Sequence, residues 1–208
     1  MPEILLRAYA AGIFPMAENA SSAELRWYDP PIRALIPLDD RFHMPQRLAR
    51  TIRQTPYRVT FDTAFDAVMR GCAEPRLGRE TTWINGEILR LYTALHKRGN
   101  AHSIEVWDRE TLIGGLYGVS LGKAFFGESM FSRQTDASKI ALVHLVYRLC
   151  ACGYLLLDTQ FQTAHLERFG TFEIARSAYH LLLQEALRGE AQPFAAESLS
   201  RHPVTQIS

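Results

Sequence analysis

Two polar clusters, each ending an apolar run, are the residues of this chain best suited to chemistry. Gly127-Glu128-Ser129-Met130-Phe131-Ser132 follows Phe125-Phe126, and Asp158-Thr159-Gln160 follows Tyr154-Leu155-Leu156-Leu157. In an extended strand alternate side chains share a face, so Glu128 is expected to point with Phe126 and Met130, and Asp158 with Gln160. A carboxylate among large apolar side chains is costly unless something pairs with it. That partner is either an internal arginine or histidine, or a cationic ligand. For Asp158 and Gln160 the plainer alternative is a strand-end turn that satisfies backbone groups. If the two strand ends meet, one carboxylate can bind an amine while the other positions a second amine.

Three familiar motifs fail on inspection. Gly118-Val119-Ser120-Leu121-Gly122-Lys123 has one residue too few between its glycines for a P-loop, and Ala124 replaces the required Ser or Thr. Gly127-Glu128-Ser129-Met130-Phe131 has Phe131 where a nucleophile elbow needs glycine. The loop Arg133-Gln134-Thr135-Asp136-Ala137-Ser138 lacks glycine and puts an acid at the expected N-cap of the next helix, which disfavours a phosphate there.

The elements that must carry these clusters are legible from periodicity. Residues 2–11 read as a short helix ended by Gly12, then a turn-rich stretch leads to Trp27-Tyr28-Asp29-Pro30-Pro31, a stiff join that suits a module boundary near residue 31. Ala34 to Leu38 reads as a strand, Pro45 opens a helix to about Thr55, and Arg58 to Phe61 is a further strand. Helices are expected from Thr63, with Phe65, Val68, Met69 and Cys72 on one face, and over 85–98, with Ile88, Leu91, Tyr92 and Leu95 at helical spacing. Strands then follow at 103–107, 112–120 and 123–131, spaced as an antiparallel meander. A long apolar helix over 136–152, a strand over 154–160, a short helix at 164–168, a brief strand near 172–174 and a helix over 176–188 complete the pattern, and 189–208 reads as a tail. A meander followed by strand, helix and strand predicts an α+β fold with a mixed, mainly antiparallel sheet flanked by helices.

Composition excludes several classes. The 208 residues, 47% hydrophobic and 22% charged, suit one well-packed domain with a small extra module. No apolar run reaches the roughly 18 to 20 residues that span a bilayer, and the first residues do not read as a secretory signal, so a cytoplasmic location is expected. The three cysteines, Cys72, Cys150 and Cys152, have no metal-binding spacing and read as buried free thiols; no metal is implied. Net charge is only +1, yet Arg41, Arg47, Arg50, Arg53 and Arg58 fall within a stretch free of Asp and Glu. That patch is either the footprint of a phosphate backbone or a solvated helix face.

A resemblance goes further than spacing. The strings Gly12-Ile13-Phe14-Pro15-Met16, Trp27-Tyr28-Asp29-Pro30-Pro31-Ile32-Arg33, Thr82-Trp83-Ile84, Ala101-His102-Ser103-Ile104-Glu105-Val106-Trp107, Gly114-Gly115-Leu116-Tyr117-Gly118, Gly127-Glu128-Ser129-Met130-Phe131-Ser132 and Ala137-Ser138-Lys139 run in the order of the leucyl/phenylalanyl-tRNA–protein transferase family, which the chain resembles from about residue 5 to 187. The resemblance implies a small N-terminal module over 1–31, expected to be abbreviated because the family's Gly-Gly-Asp-Leu lead-in is missing, and a GNAT-like acyltransferase domain over 32–188. It implies an enzyme that moves Leu or Phe, less readily Met, from aminoacyl-tRNA to the N-terminal Arg or Lys of a protein and so creates a degradation signal. Trp83, Leu116, Phe125, Met130 and Leu157 match the apolar side-chain pocket, with Tyr9, Tyr92 and Met16 as further substrate-binding positions. Glu128 matches the group that meets the donor α-amine, and Asp158 and Gln160 the groups that act on the acceptor amine. Arg47, Arg50, Arg53 and Arg58 are the tRNA-binding candidates. An aminoacyl ester is already activated, so its aminolysis needs positioning and a neutral amine but no ATP, cofactor or metal. This chain departs from the family at Thr159, where cysteine is usual, at Met16, where tryptophan is common, and at His165 to Thr171. The rival readings are an acyl-CoA-dependent N-acetyltransferase on the same fold, a tRNA-binding module without chemistry, and peptidoglycan-branching aminoacyl transfer.

Overall fold

The computed structural model describes residues 2–17, 25–75 and 82–194. Thr81 and the tail beyond residue 194 lie outside the described residues. Helix α1 (Pro2–Ala10) ends at Gly12, whose φ of +76° is the left-handed conformation that closes a helix most cheaply in glycine. Strands β1 (Phe14–Ala17) and β2 (Leu25–Tyr28) then form a small antiparallel sheet, with Phe14 opposite Tyr28. The sequence predicts turns alone between Gly12 and Pro30. Four-residue strands interrupted by proline carry too short an alternation to stand out in it.

The main sheet has seven strands in the order β4-β5-β6-β7-β8-β3-β9. They are β3 (Ile32–Ile36), β4 (Arg58–Phe61), β5 (Ala101–Asp108), β6 (Thr111–Leu121), β7 (Ala124–Ser132), β8 (Leu156–Gln160) and β9 (Phe172–Ala175). All neighbours are antiparallel except β7 and β8, which the long helix α5 (Ala137–Ala151) connects as a crossover. The fold is therefore α+β, with a mixed and mainly antiparallel sheet.

Both faces of the sheet are covered. One face packs α1, α3 (Phe65–Ala73), α4 (Gly86–Lys97) and α7 (Arg176–Leu187) into a core that includes Leu5, Tyr9, Phe126, Phe131 and Tyr179. The other packs α5 and α2 (Gln46–Gln54), with the one-turn helix α6 (Ala164–Glu167), around Leu116, Phe125 and Leu157. Leu5, Tyr9 and Phe14 thus share one core with the helices of the main body. Phe194, beyond α7, is 3% exposed and stacks on Phe125 with ring centroids 5.7 Å apart.

Three local expectations need revision. Asp136 stands at the N-cap of α5 but in a left-handed conformation, φ +65°, and makes no side-chain cap; its carboxylate pairs with Lys139 at 2.6 Å instead. Cys72 and Cys152 are buried, whereas Cys150 is exposed. The third concerns which side of the sheet the residues after Phe126 occupy.

Candidate active site

Two β-bulges shape the cleft. Along β6 and β7 the register steps from Gly118 opposite Gly127 to Tyr117 opposite Ser129, leaving Glu128 as the extra residue. A bulge shifts the alternation by one residue, so side chains beyond it change face. Phe126 and Phe131 accordingly lie in one core, and Phe125 and Met130 in the other. Glu128 therefore does not share a face with Met130 as regular alternation predicts. Gly118 permits the step, because a Cβ there would collide with the Phe126 carbonyl oxygen and the Phe125 ring. The second bulge is at Thr159, where the β3–β8 register steps from Leu35 opposite Asp158 to Ala34 opposite Gln160. Thr159 turns its hydroxyl to the Ala34 carbonyl at 3.1 Å.

Between the bulged strands the sheet opens. Pairing of β7 with β8 stops at Phe126 opposite Asp158, while β7 continues to Ser132 against β6 alone. The gap is a cavity of about 580 Å³. Leu116, Met130, Leu142, Leu145 and Leu157 supply apolar wall; Phe14, Met16 and Trp83 close it from the N-terminal side and from the segment before α4; Glu128, Gln160 and His165 bring polar groups.

Glu128 sits where a carboxylate is expensive, and two buried tyrosines hold it. The Tyr9 hydroxyl donates to Glu128 Oε1 at 2.6 Å and the Tyr92 hydroxyl to Oε2 at 3.1 Å, the two hydroxyls lying 2.5 Å apart. Burial pushes the Glu128 carboxyl up to about 7; the tyrosine bonds pull against that, the Asp158 charge adds to it, and Arg33 opposes it. Burial raises Tyr9 and Tyr92 well above the phenol range, so both remain donors. Among the described residues no cation is bonded to Glu128: the groups that hold it are neutral.

Asp158 has the opposite surroundings. It is 0% exposed and forms an ion pair with Arg33, itself 1% exposed, through Arg33 Nη2, with Nε 3.4 Å from the other carboxylate oxygen. The Tyr179 hydroxyl donates to Asp158 Oδ2 at 2.8 Å, and Oδ1 accepts the backbone N–H of Gln160 at 2.8 Å. Arg33 further donates to the Gly12 carbonyl at 2.6 Å and lies between the Phe14 and Tyr179 rings. Asp158 and Gln160 therefore do not face the same way. Asp158 is turned into this ion pair, while Gln160, at φ +60°, lines the cavity with its Nε2 buried and unbonded among the described residues.

The remaining expected residues separate into three groups. Trp83, Leu116, Met130, Leu157 and Met16 are on the cavity wall. Tyr9 and Tyr92 stand behind Glu128, and Phe125 is 0% exposed beneath the wall, covered by Phe194. Arg47, Arg50 and Arg53 are exposed on α2, where Arg50 and Arg53 border a second groove with Phe42, His43 and Tyr147; Arg58 lies over the Trp107 ring, 5.2 Å from its centroid. Neither residue type nor spacing marks Arg33 or Tyr179 as a site residue, although Arg33 ends one of the motif strings that carry the resemblance. Arg33 lies two positions after a double proline and Tyr179 on an amphipathic helix, so only the fold reveals that both serve Asp158. Among the described residues no group of three or more His, Cys, Asp or Glu could hold a metal ion, and no helix is long and apolar enough to cross a membrane.

A gap between two sheet strands that forms an apolar cavity, with the tyrosine-held carboxylate of Glu128 on its wall, is the architecture of a small-ligand binding site. Residues 35–184 match the family described as leucyl/phenylalanyl-tRNA protein transferase, and residues 1–31 match the N-terminal domain of that family. A relative from Nitrobacter winogradskyi, named leucyl/phenylalanyl-tRNA--protein transferase, is 58% identical over 200 residues, covering 96% of this chain and 88% of its own. One of the same name from Rhodopseudomonas palustris is 57% identical over 204 residues, covering 98% and 89%. The chain belongs to the leucyl/phenylalanyl-tRNA–protein transferase family.

Proposed function

We propose that this enzyme transfers Leu or Phe, and less readily Met, from aminoacyl-tRNA to the N-terminal Arg or Lys of a protein, in the cytoplasm where aminoacyl-tRNA is made. The observation that carries the reading is Glu128: a carboxylate bordering an apolar cavity and bonded, among the described residues, to neutral hydroxyls. The α-ammonium of an aminoacyl ester supplies the missing charge, and its side chain fills the adjoining wall of Leu116, Met130 and Leu157.

In this reading the acceptor amine, neutral at a pH near its own value of ~7.7 to 8, attacks the ester carbonyl. The bond to the ribose oxygen breaks, and the proton released by the amine ends on that oxygen. Gln160 orients the amine through its side-chain carbonyl. Asp158 is fully occupied by Arg33, Tyr179 and the Gln160 N–H, which supports a role in fixing Gln160 over one as a free base. Arg47, Arg50, Arg53 and Arg58 hold the tRNA backbone.

The test is incubation with Leu-tRNA and a peptide beginning with Arg, without ATP or coenzyme A. A leucylated peptide is expected. Its absence, with a working control enzyme, would end the reading, and acetylation of the same peptide by acetyl-CoA would replace it.

A further inference from the structure

Two residues on the cavity wall, Gln160 and His165, each keep a buried Nε2 without a hydrogen-bond partner among the described residues. A buried polar atom left unpaired needs an explanation, and on a cavity wall a bound ligand supplies one. The transfer reading engages the Gln160 side chain through its carbonyl but gives His165 nothing to do. Its position is nonetheless fixed. It lies in the single turn of α6, where the Thr163 hydroxyl accepts the Leu166 N–H at 3.3 Å, and Leu166 and Phe169 anchor the turn in the core.

The chemistry of the missing partner can be narrowed. Burial first, then the nearby Lys139 and Arg168, push the imidazole below its usual range, so it is neutral at pH 7 and suits a neutral donor–acceptor group. An aminoacyl ester has three parts. The leucines and Met130 suit its side chain, Glu128 suits its ammonium, and the part still to be held is the ribose, which carries a neutral hydroxyl. Arg168, whose charge is felt at His165, suits the phosphate attached to that ribose, whereas Lys139 is already paired with Asp136.

We propose that His165 is a positioning residue for the donor, its Nε2 hydrogen-bonding a ribose hydroxyl of the terminal nucleotide of aminoacyl-tRNA. This rests on the transfer reading, since it takes its ligand from that reaction.

The experiment compares leucyl-adenosine 5′-phosphate with its 2′-deoxy counterpart as minimal donors to an Arg-peptide, using wild type, His165→Ala and His165→Gln. Calorimetry runs in parallel on stable 3′-amide analogues with and without the 2′-hydroxyl. Wild type is expected to favour the ribose over the deoxyribose compound about tenfold in both assays, mainly through KM. His165→Ala should lose about tenfold on the ribose compounds and nothing on the deoxy ones, and His165→Gln should recover part of the loss. Equal losses on both sugars, an effect on the peptide KM alone, or no effect would overturn the proposal. If wild type transfers neither donor, the transfer reading fails, and the amide binding ratios still decide whether His165 reads the hydroxyl.

Discussion

The Asp158 carboxylate accepts the backbone N–H of Gln160 at 2.8 Å and so holds Gln160 at φ +60°, a left-handed conformation that non-glycine residues seldom adopt. The strain puts the Gln160 amide on the cavity wall. Its removal separates stability from activity. Gln160→Gly should raise stability by roughly 0.5–1 kcal/mol, because glycine adopts that conformation freely, while turnover falls at least a hundredfold. Gln160→Ala should lose the same activity without the gain. Urea melts and single-turnover rates measure both; a Gly variant no more stable than Ala would contradict the strain.

Tyr179→Phe removes one of the three donors to Asp158 and leaves the Arg33 ion pair in place. A loss of about 1–3 kcal/mol in stability is expected, with turnover lowered several-fold and tRNA binding unchanged. Weaker tRNA affinity in filter binding would show that Tyr179 acts elsewhere.

Glu128 sets a pH dependence whose sign follows from its raised carboxyl. With a folded value of about 7 above an ordinary 4.5, the folded protein holds the proton more tightly. The stabilisation is complete below 4.5 and is lost as pH rises through 7. Glu128→Gln should therefore be more stable than wild type at pH 8, by on the order of 1–3 kcal/mol, and the difference should vanish at pH 4.5. Donor KM should behave oppositely in wild type, worsening as pH falls below about 7, and that acid limb should be absent in Glu128→Gln.

Tyr9→Phe and Tyr92→Phe each remove a hydrogen bond that favours the Glu128 carboxylate. The acid limb of the donor KM profile should move to higher pH in both. An unmoved limb would mean that another group sets it.

On α2, replacing Arg47, Arg50 and Arg53 by glutamine should weaken tRNA binding and flatten its salt dependence, the slope falling by about 0.7 to 0.9 for every phosphate that is no longer neutralised. Transfer from a leucyl-nucleotide too short to reach α2 should not change. Equal losses on both donors would show that these arginines support the fold instead.

The helices and the strands of the main sheet are legible from local pattern, as where Ile88, Leu91, Tyr92 and Leu95 mark one face of α4 without help from the rest of the chain, whereas β1 and β2 are too short to show one. The bulges at Glu128 and Thr159 are not legible. One extra residue leaves composition unchanged and shows only once the partner strand is known, which is why Met130 and Phe131 exchange sides relative to regular alternation. The carboxylates themselves stand out by type, but their surroundings come from far along the chain, Tyr9 and Tyr92 for Glu128, Arg33 and Tyr179 for Asp158. Phe194 falls in the stretch that reads as tail, because a single anchoring aromatic has no periodicity at all.

The Arg33–Asp158 pair also bears on how the molecule is made. The two residues are 125 positions apart, and β3, which carries Arg33, finds both of its neighbours only in β8 and β9. A nascent chain emerges from its N-terminus and must keep Arg33 solvated until Asp158 has left the ribosome, since neither charge is tolerable alone in the interior. The side of the cleft built on β3 and β8 is accordingly among the last parts of the protein to assemble.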